Sequence, residues 1–309
     1  MMFLSLLATM VLEHWRPLRP PFPHYQAFAR LTGLLRDKLD GGQSTHGLLA
    51  WCCAVLPVVF LVWLLQGWLA SAWQPLAWLW GVLVLYLTFG FKYYTLLAEE
   101  IAGELRSGQL QLAQAKLDTW RGVSGAVSTG EPQVTSGMIA SLTIERLFSH
   151  SLRQTFGVLF WFVLLGPAGA VLYRLSSILS RRWREASPGF GEIPGRIFHA
   201  LNWVPARLAG LTYAVAGNFE DAMLCWRTQS SIWPDPDESV VLSAGAGAMG
   251  IRLGVTINPE DLSGLREEIG IGDEPDADQI DSAVSMIWRG LMVWMIAGLL
   301  MSLAGWADA

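Results

Sequence analysis

The sequence predicts an all-α integral membrane protein with four or five membrane elements joined by helical cytoplasmic segments. Three observations predict it. Of 309 residues, 52% are hydrophobic and 15% charged, against about 25% charged in an average soluble domain. Residues 47–91 contain no Asp, Glu, Lys or Arg, and one helix needs about 20 residues to cross the hydrocarbon core. The 16 tryptophans suit the membrane–water interface, where Trp concentrates.

Taken in order, the first candidate element is residues 1–12. It is apolar but short, and it lacks the basic start and small-residue cleavage site of a removable signal peptide. A short or tilted helix that stays in place is expected there. The uncharged run reads as two helices, 48–68 and 76–92, turning at Ser71–Pro75. Residues 93–154 read as a first cytoplasmic segment. Leu96, Leu97, Ile101 and Leu105, then Leu110, Leu112, Ala113 and Leu117, fall at helical spacing in two pieces split at Ser107-Gly108. A loop is expected over 122–136, rich in Gly, Ser, Thr and Pro, with helical spacing resuming over Ile139–Phe148.

Residues 155–173 form the next apolar stretch, interrupted by Gly166-Pro167-Ala168-Gly169. The 21 Lys and Arg fall in three blocks, at 13–46, 92–154 and 174–289, and such loops stay cytoplasmic. Arg146 and Arg153 precede the stretch while Arg174, Arg181, Arg182 and Arg184 follow it. Two readings stand: a re-entrant element that returns to its own side, or an ordinary kinked span. Residues 174–289 make the second cytoplasmic segment, with an acidic, solvated stretch over 258–281, and residues 290–307 the last membrane element, with Trp294 and Trp306 near its ends. The whole of 1–309 reads as one domain.

Several function classes are disfavoured. A net charge of −5 without a long basic stripe argues against a nucleic-acid partner. Cys52, Cys53 and Cys225 give neither a metal spacing nor a disulfide framework, and the five histidines form no zinc motif. No metal site is expected. Gly245-Ala-Gly-Ala-Met-Gly250 is a literal G-x-G-x-x-G, but that fingerprint is credible only within alternating strands and helices. Close helix packing explains it better.

One stretch resists the apolar pattern: N-W-V-P-A-R-L-A at 202–209, with Pro205 and Arg207 inside apolar sequence. An interior proline costs a helix roughly 3 kcal/mol or more. An arginine at mid-bilayer costs at least about 2.5–3.5 kcal/mol. The stretch is therefore expected to open a helix at the interface or inside the bundle, with Pro205 in the first turn, rather than to interrupt a lipid-facing span.

That stretch and S-A-G-A-G-A-M-G-I-R-L-G at 243–254 resemble two signature regions of the CobD/CbiB family. So do L-R-S-G-Q-L-Q-L-A-Q-A-K-L at 105–117, running into Trp120-Arg121-Gly122, and G-P-A-G-A-V-L-Y-R at 166–174. Order and spacing agree along nearly the whole chain. The resemblance implies a multi-pass protein of the bacterial inner membrane. It implies a late step of cobalamin biosynthesis, in which aminopropanol or its phosphate is joined to adenosylcobyric acid through an amide bond at the expense of ATP.

The chain also departs from the family pattern. Catalytic members carry an acidic run before the apolar segment; here only Glu145 remains, as the candidate catalytic residue, and later positions are Ser149, His150 and Arg153. Ser177 and Ser180 stand where the family shows an asparagine and an aspartate, and Phe198 and His199 replace two acids. Phosphate chemistry with ATP needs carboxylates or amides to hold Mg²⁺, so ATP and Mg²⁺ are expected only if the synthase activity is retained. No other cofactor is identified. The remaining pattern, with Tyr213-Ala214 after the N-W-V-P-A-R motif, also resembles AmpE, a non-catalytic membrane protein associated with regulation.

Asn202, Arg207, Arg174 and Arg252 are candidate members of a basic ligand pocket, with Glu220, Asp221, Arg227 and Gln229 following on later helical turns. Guanidinium forks suit carboxylates and phosphates, such as those of a corrinoid, a nucleotide or a phospholipid head group. The competing reading has Arg207 paired with Glu220 or with backbone carbonyls, pinning its helix. The expected partners are membrane lipid and either a corrinoid or another protein.

Overall fold

The structure is a computed structural model that describes residues 2–16, 23–122, 134–184, 188–254 and 267–307. Its elements are α1 (Met2–Trp15), α2 (Pro23–Leu39), α3 (Ser44–Ala72), α4 (Gln74–Thr88), α5 (Lys92–Arg106), α6 (Leu110–Arg121) and α7 (Ser136–Ser151). A π-helical turn (Leu152–Phe156) leads into α8 (Gly157–Arg182), followed by α9 (Pro188–Ala216), α10 (Phe219–Gln229) and α11 (Pro236–Met249). β1 (Arg252–Leu253) pairs antiparallel with β2 (Ile269–Gly270), and α12 (Ala277–Ala307) closes the chain. Most of the expected loop at 122–136, and Glu260 and Asp261 of the acidic stretch, lie outside the described residues.

The protein is an α-helical membrane protein. Four helical stretches are long and apolar enough to cross a bilayer: Ser44–Ala72, Gln74–Arg106, Ser136–Arg182 and Ala277–Ser302. On α3, Phe60, Leu61, Trp63 and Trp68 are exposed, the distribution of a lipid-facing surface.

The chain forms two compact units. The first comprises Met1–Lys92, Arg153–Pro205 and Met295–Ala309. Within it α3 and α4 pack on each other and on α8, α1 packs on α4, and α2 on α3. Small residues permit the close approaches. A side chain at Gly47 would place its Cβ 2.1 Å from the carbonyl oxygen of Phe190.

Within this unit α8 is not a straight rod. Gly166 adopts φ 65°, ψ −154°, a conformation that favours glycine. A Cβ at Gly157 would lie 2.1 Å from the Tyr173 ring, and one at Gly169 would lie 2.2 Å from the Trp161 carbonyl oxygen. In a straight helix residues 157 and 173 would stand roughly 24 Å apart. The two arms of α8 therefore run side by side as a hairpin. Its tip residue Pro167 approaches Gly81, midway along α4. The Gly-Pro-Ala-Gly run thus forms the kind of fold-back that a re-entrant element requires.

The second unit comprises Tyr93–Leu152 and Ala206–Trp294. On α5, Thr95, Ala98, Ile101, Ala102 and Leu105 form the buried face at helical spacing, and α6 is set off from it by Gly108 at φ 75°. Helix α11 is buried along nearly its whole length and packs on α10, α7 and the small sheet. Its glycines make this possible: a Cβ at Gly245 would meet the Phe148 ring at 2.7 Å, and one at Gly247 the Asp221 carbonyl at 2.5 Å. Gly250 ends the helix in the left-handed conformation. The G-x-G-x-x-G string is thus a packing seam with its C-terminal cap, not a turn between a strand and a helix.

In the first unit, Glu13 near the end of α1 accepts hydrogen bonds from the backbone N–H groups of Phe91 (2.6 Å) and Lys92 (3.0 Å), where α5 begins. Helix α1, with 14 residues, is shorter than a bilayer crossing requires. Burial raises the Glu13 carboxyl to about 7, while the two N–H groups and the Lys92 charge oppose the rise. The unfolded chain ionises this group at lower pH than the folded one, so stability falls as pH rises from about 5 to 7.5, by up to about 3 kcal/mol. Glu13→Gln keeps an acceptor for both N–H groups and should flatten that part of the pH–stability curve of the detergent-purified protein. A slope unchanged in the variant would assign the dependence to another group.

Candidate functional site

In the first unit a polar cluster is buried at the base of the α8 hairpin. The π-turn carries Arg153, Gln154 and Thr155, all buried, and single π-turns inside α-helices occur frequently at functional sites. The facing arm carries Tyr173, Arg174, Ser176, Ser177 and Ser180, also buried. The approach of Gly157 to Tyr173 sets the register that brings residues 153–157 opposite residues 173–177. Helix α9 supplies Asn202, whose Oδ1 accepts a 2.7 Å hydrogen bond from the Tyr173 hydroxyl. It also supplies Phe198, over whose ring the Arg153 guanidinium lies at 5.0 Å.

The cluster is incompletely satisfied. The hydroxyls of Thr155, Ser176 and Ser177 are buried and have no hydrogen-bond partner among the described residues. Serine and threonine in helices ordinarily return a hydrogen bond to a carbonyl one turn back, as Ser180 does to Ser177 and Thr88 to Val84. Each unsatisfied buried hydroxyl costs on the order of 1–3 kcal/mol, and three on facing arms mark a site that is not arranged for stability.

Pro205 contributes to the same architecture. It does not open a helix, as the sequence suggested, but sits inside α9. A proline there cannot donate to the carbonyl four residues earlier, that of Leu201. The Trp161 indole N–H from the first arm of the hairpin takes that carbonyl at 2.9 Å. The acceptor freed by the proline thus anchors the hairpin to α9, which removes most of the reason to expect the helix to start at Pro205.

Of the residues singled out from the sequence, Arg174 and Asn202 belong to this cluster, while the others lie in the second unit, where each has its own surroundings. Arg207 pairs with Asp237 at 3.2 Å, not with Glu220; Asp237, in the first turn of α11, is only 1% exposed. Glu145 is buried, and its carboxylate accepts from the N–H of Gly254 at 3.0 Å and from the Ser141 hydroxyl at 3.4 Å. Gln229 clamps Gly270 from both sides, accepting from its N–H (2.6 Å) and donating to its carbonyl (3.3 Å). Glu220 and Asp221 lie in the first turn of α10, whose N–H groups the Asn218 side chain caps. Arg227 is exposed, and Arg252 pairs at the surface with Glu268 at 3.4 Å. Burial raises the Cys225 thiol. It also raises the Tyr213 hydroxyl, although the hydrogen bond with Ser151 opposes that.

In the sequence Arg153 stands out as a flanking positive charge and, with Ser177 and Ser180, as a departure from a family pattern, while Thr155 and Ser176 do not stand out. The available signal was four hydroxyl residues in and beside otherwise apolar runs. Among the described residues no group of three His, Cys, Asp or Glu side chains could hold a metal ion. Mg²⁺ is held by carboxylates, amides and phosphates. The hairpin cluster offers the amides of Gln154 and Asn202 beside guanidinium and hydroxyl groups but no carboxylate among the described residues, so its donor set does not fit that ion.

The comparisons with known proteins cover the same ground. The CobD/Cbib protein family model matches residues 3–287. The cobalamin biosynthesis protein CobD of Stutzerimonas stutzeri (strain A1501) is 36% identical over 290 residues, 92% of this chain and 91% of its own length. The protein of the same name from Chromobacterium violaceum is 33% identical over 250 residues, 80% of this chain and 73% of its own. A probable cobalamin biosynthesis protein CobD of Methanothrix thermoacetophila is 27% identical over 217 residues, 67% and 64% of the two chains. No solved structure matches the chain.

The Arg207–Asp237 pair gives a separate expectation. Arg207→Ala takes a guanidinium away from a buried carboxylate and should lower stability by about 2–4 kcal/mol, read as thermal unfolding in detergent. A double-mutant cycle with Asp237→Asn should show strong coupling. Additive losses would mean that the pair does not hold α9 to α11.

Proposed function

This chain belongs to the CobD/CbiB family, and on that premise we propose that it serves a late step of cobalamin biosynthesis in the bacterial inner membrane. The observation that carries the proposal is the 36% identity, over 92% of this chain, to a protein named for cobalamin biosynthesis. The relatives' names favour it over an AmpE-like regulatory role. The resemblance extends the reading to a reaction: the amine of aminopropanol or its phosphate forms an amide with a carboxyl of adenosylcobyric acid, with ATP as the energy source.

In this reading the buried cluster is the polar site that the membrane-rich unit offers to such a substrate. Arg174 supplies a fixed charge, and Asn202 is oriented by the Tyr173 hydroxyl. Trp161 and Tyr173 tie the hairpin to α9 and so set the positions of these groups before any substrate arrives. The chain's own contribution is binding and orientation. The carboxylate set that would hold Mg²⁺·ATP is not present in the cluster. Glu145, Arg207, Glu220, Asp221, Arg227, Gln229 and Arg252 remain candidates for contacts made by the second unit.

Complementation tests the reading. The chain is expressed in a cobalamin auxotroph deleted for its own CobD/CbiB synthase, with cobyric acid as the sole corrinoid. Growth is expected, and Arg174→Ala should reduce it severely without removing the protein from the membrane. No growth, with the protein present in the membrane, would overturn the amide-forming role and direct attention to a protein partner.

A further inference from the structure

We propose that a groove between α5 and α12 of the second unit holds the head group of a phosphatidylethanolamine lipid, its primary ammonium group lying between Glu99 and Asp281. The groove has a volume of about 420 Å³ and is lined by Glu99 and Arg106 of α5 and by Asp281, Val284, Ser285 and Trp288 of α12. Small-molecule sites usually measure about 300–1,000 Å³, so a lipid head group fits. The inference stands on these residues and does not depend on the cobalamin reading.

Position along α12 selects a lipid. Residues 281, 284, 285 and 288 recur at helical spacing and form one face of the helix. One turn beyond Trp288 the same face continues into Met292, which is 61% exposed. Both residues belong to the stretch Ala277–Ser302 that is long and apolar enough to cross a bilayer. The groove therefore opens where the polar part of α12 gives way to its lipid-facing part, the depth at which head groups lie. Trp288 and the exposed Arg289 stand at that boundary, and Trp and Arg are residue types that settle there.

Charge selects the head group. Arg106 pairs with Asp278 at 2.9 Å and with Asp281, while Lys116 takes Glu100 and Glu104. Glu99, exposed on α5, has no cationic partner among the described residues. Three carboxylates, Glu99, Asp278 and Asp281, thus share one guanidinium, and this corner carries an excess of negative charge. A primary ammonium group answers that excess. It donates charge-assisted hydrogen bonds to carboxylate oxygens, and the Trp288 ring beside it attracts cations. A choline head group carries the same charge but has no N–H to donate, and an anionic glycerol head group is repelled.

The experiment uses the full chain in phosphatidylcholine nanodiscs into which phosphatidylethanolamine or phosphatidylglycerol of the same acyl chains is titrated, with thermal unfolding as the readout. A ligand that binds the folded state raises Tm in a saturable way. Phosphatidylethanolamine is expected to do so, and phosphatidylglycerol is not. Glu99→Gln removes an exposed carboxylate that holds no ion pair, so its Tm in pure phosphatidylcholine should match the parent's. Its apparent affinity for phosphatidylethanolamine should nevertheless fall about tenfold. A change in bulk bilayer properties would act on parent and variant alike, so a variant that responds like the parent overturns the proposal. So does an equal effect of phosphatidylglycerol, or no effect of phosphatidylethanolamine. Free ethanolamine that reproduces the whole rise in pure phosphatidylcholine discs would also overturn it, by making a dissolved amine the ligand.

Discussion

A side chain at residue 169 would place its first carbon 2.2 Å from the Trp161 carbonyl oxygen, so the two arms of α8 can close only on a glycine. Gly157 repeats the requirement sixteen residues from Tyr173, under the tyrosine ring. Much of the first unit depends on this closure. It turns the segment over 157–182 from one rod into a hairpin, and it brings the tip to the middle of α4. It also leaves the non-helical backbone at Gly166 half-buried at the tip, next to buried Pro167. Irregular backbone at membrane depth is tolerated only where protein or a water-filled cavity covers it, and here α4 approaches the tip through Gly81.

The proline that looked misplaced in the sequence belongs to the same arrangement. An interior proline normally leaves a carbonyl without its helical donor, and in an apolar setting that loss is not made good by water. The Trp161 indole meets the Leu201 carbonyl, and at the next residue Tyr173 reaches Asn202. Hairpin and α9 are therefore joined by two polar contacts at adjacent residues of α9. The defect in one helix is the attachment point of another, and Arg207, two residues later, has an unrelated task with Asp237.

Much of the architecture was legible in the sequence because it follows from local rules. The uncharged run at 47–91, the Gly-Pro-Ala-Gly break and the split at Ser107-Gly108 each act through a backbone preference or a hydrophobic length that the residues themselves carry. The packing role of Gly245 and Gly247 was legible for the same reason. The candidate site was legible only in part. Arg174 and Asn202 stood out as polar residues in apolar sequence, but nothing local indicates that Thr155 and Ser176 lie on facing arms. The partner of Arg207 lies thirty residues away in α11, and Glu13 meets Phe91 across 78 positions. Such pairings are products of the tertiary fold, and one sequence without its relatives carries little trace of them. The start of α9 was misplaced because a proline in the middle of a helix is unfavourable until its lost hydrogen bond is supplied from elsewhere.

The departures from the family pattern acquire a common meaning once they are placed in space. Read along the sequence, Arg153, Ser177, Ser180 and Phe198 are four separate substitutions of acids or amides, scattered over 46 positions. In the fold, Arg153 and Ser177 lie on facing arms, Ser180 is one turn below, and Phe198 receives the Arg153 guanidinium. These four fall on one cluster of the first unit, whereas Ser149 and His150 lie in the second unit. Random decay of an unused cation site would leave isolated acids buried without partners, which is costly. No isolated acid stands at these four positions, and the buried hydroxyls of Thr155, Ser176 and Ser177 have no hydrogen-bond partner among the described residues.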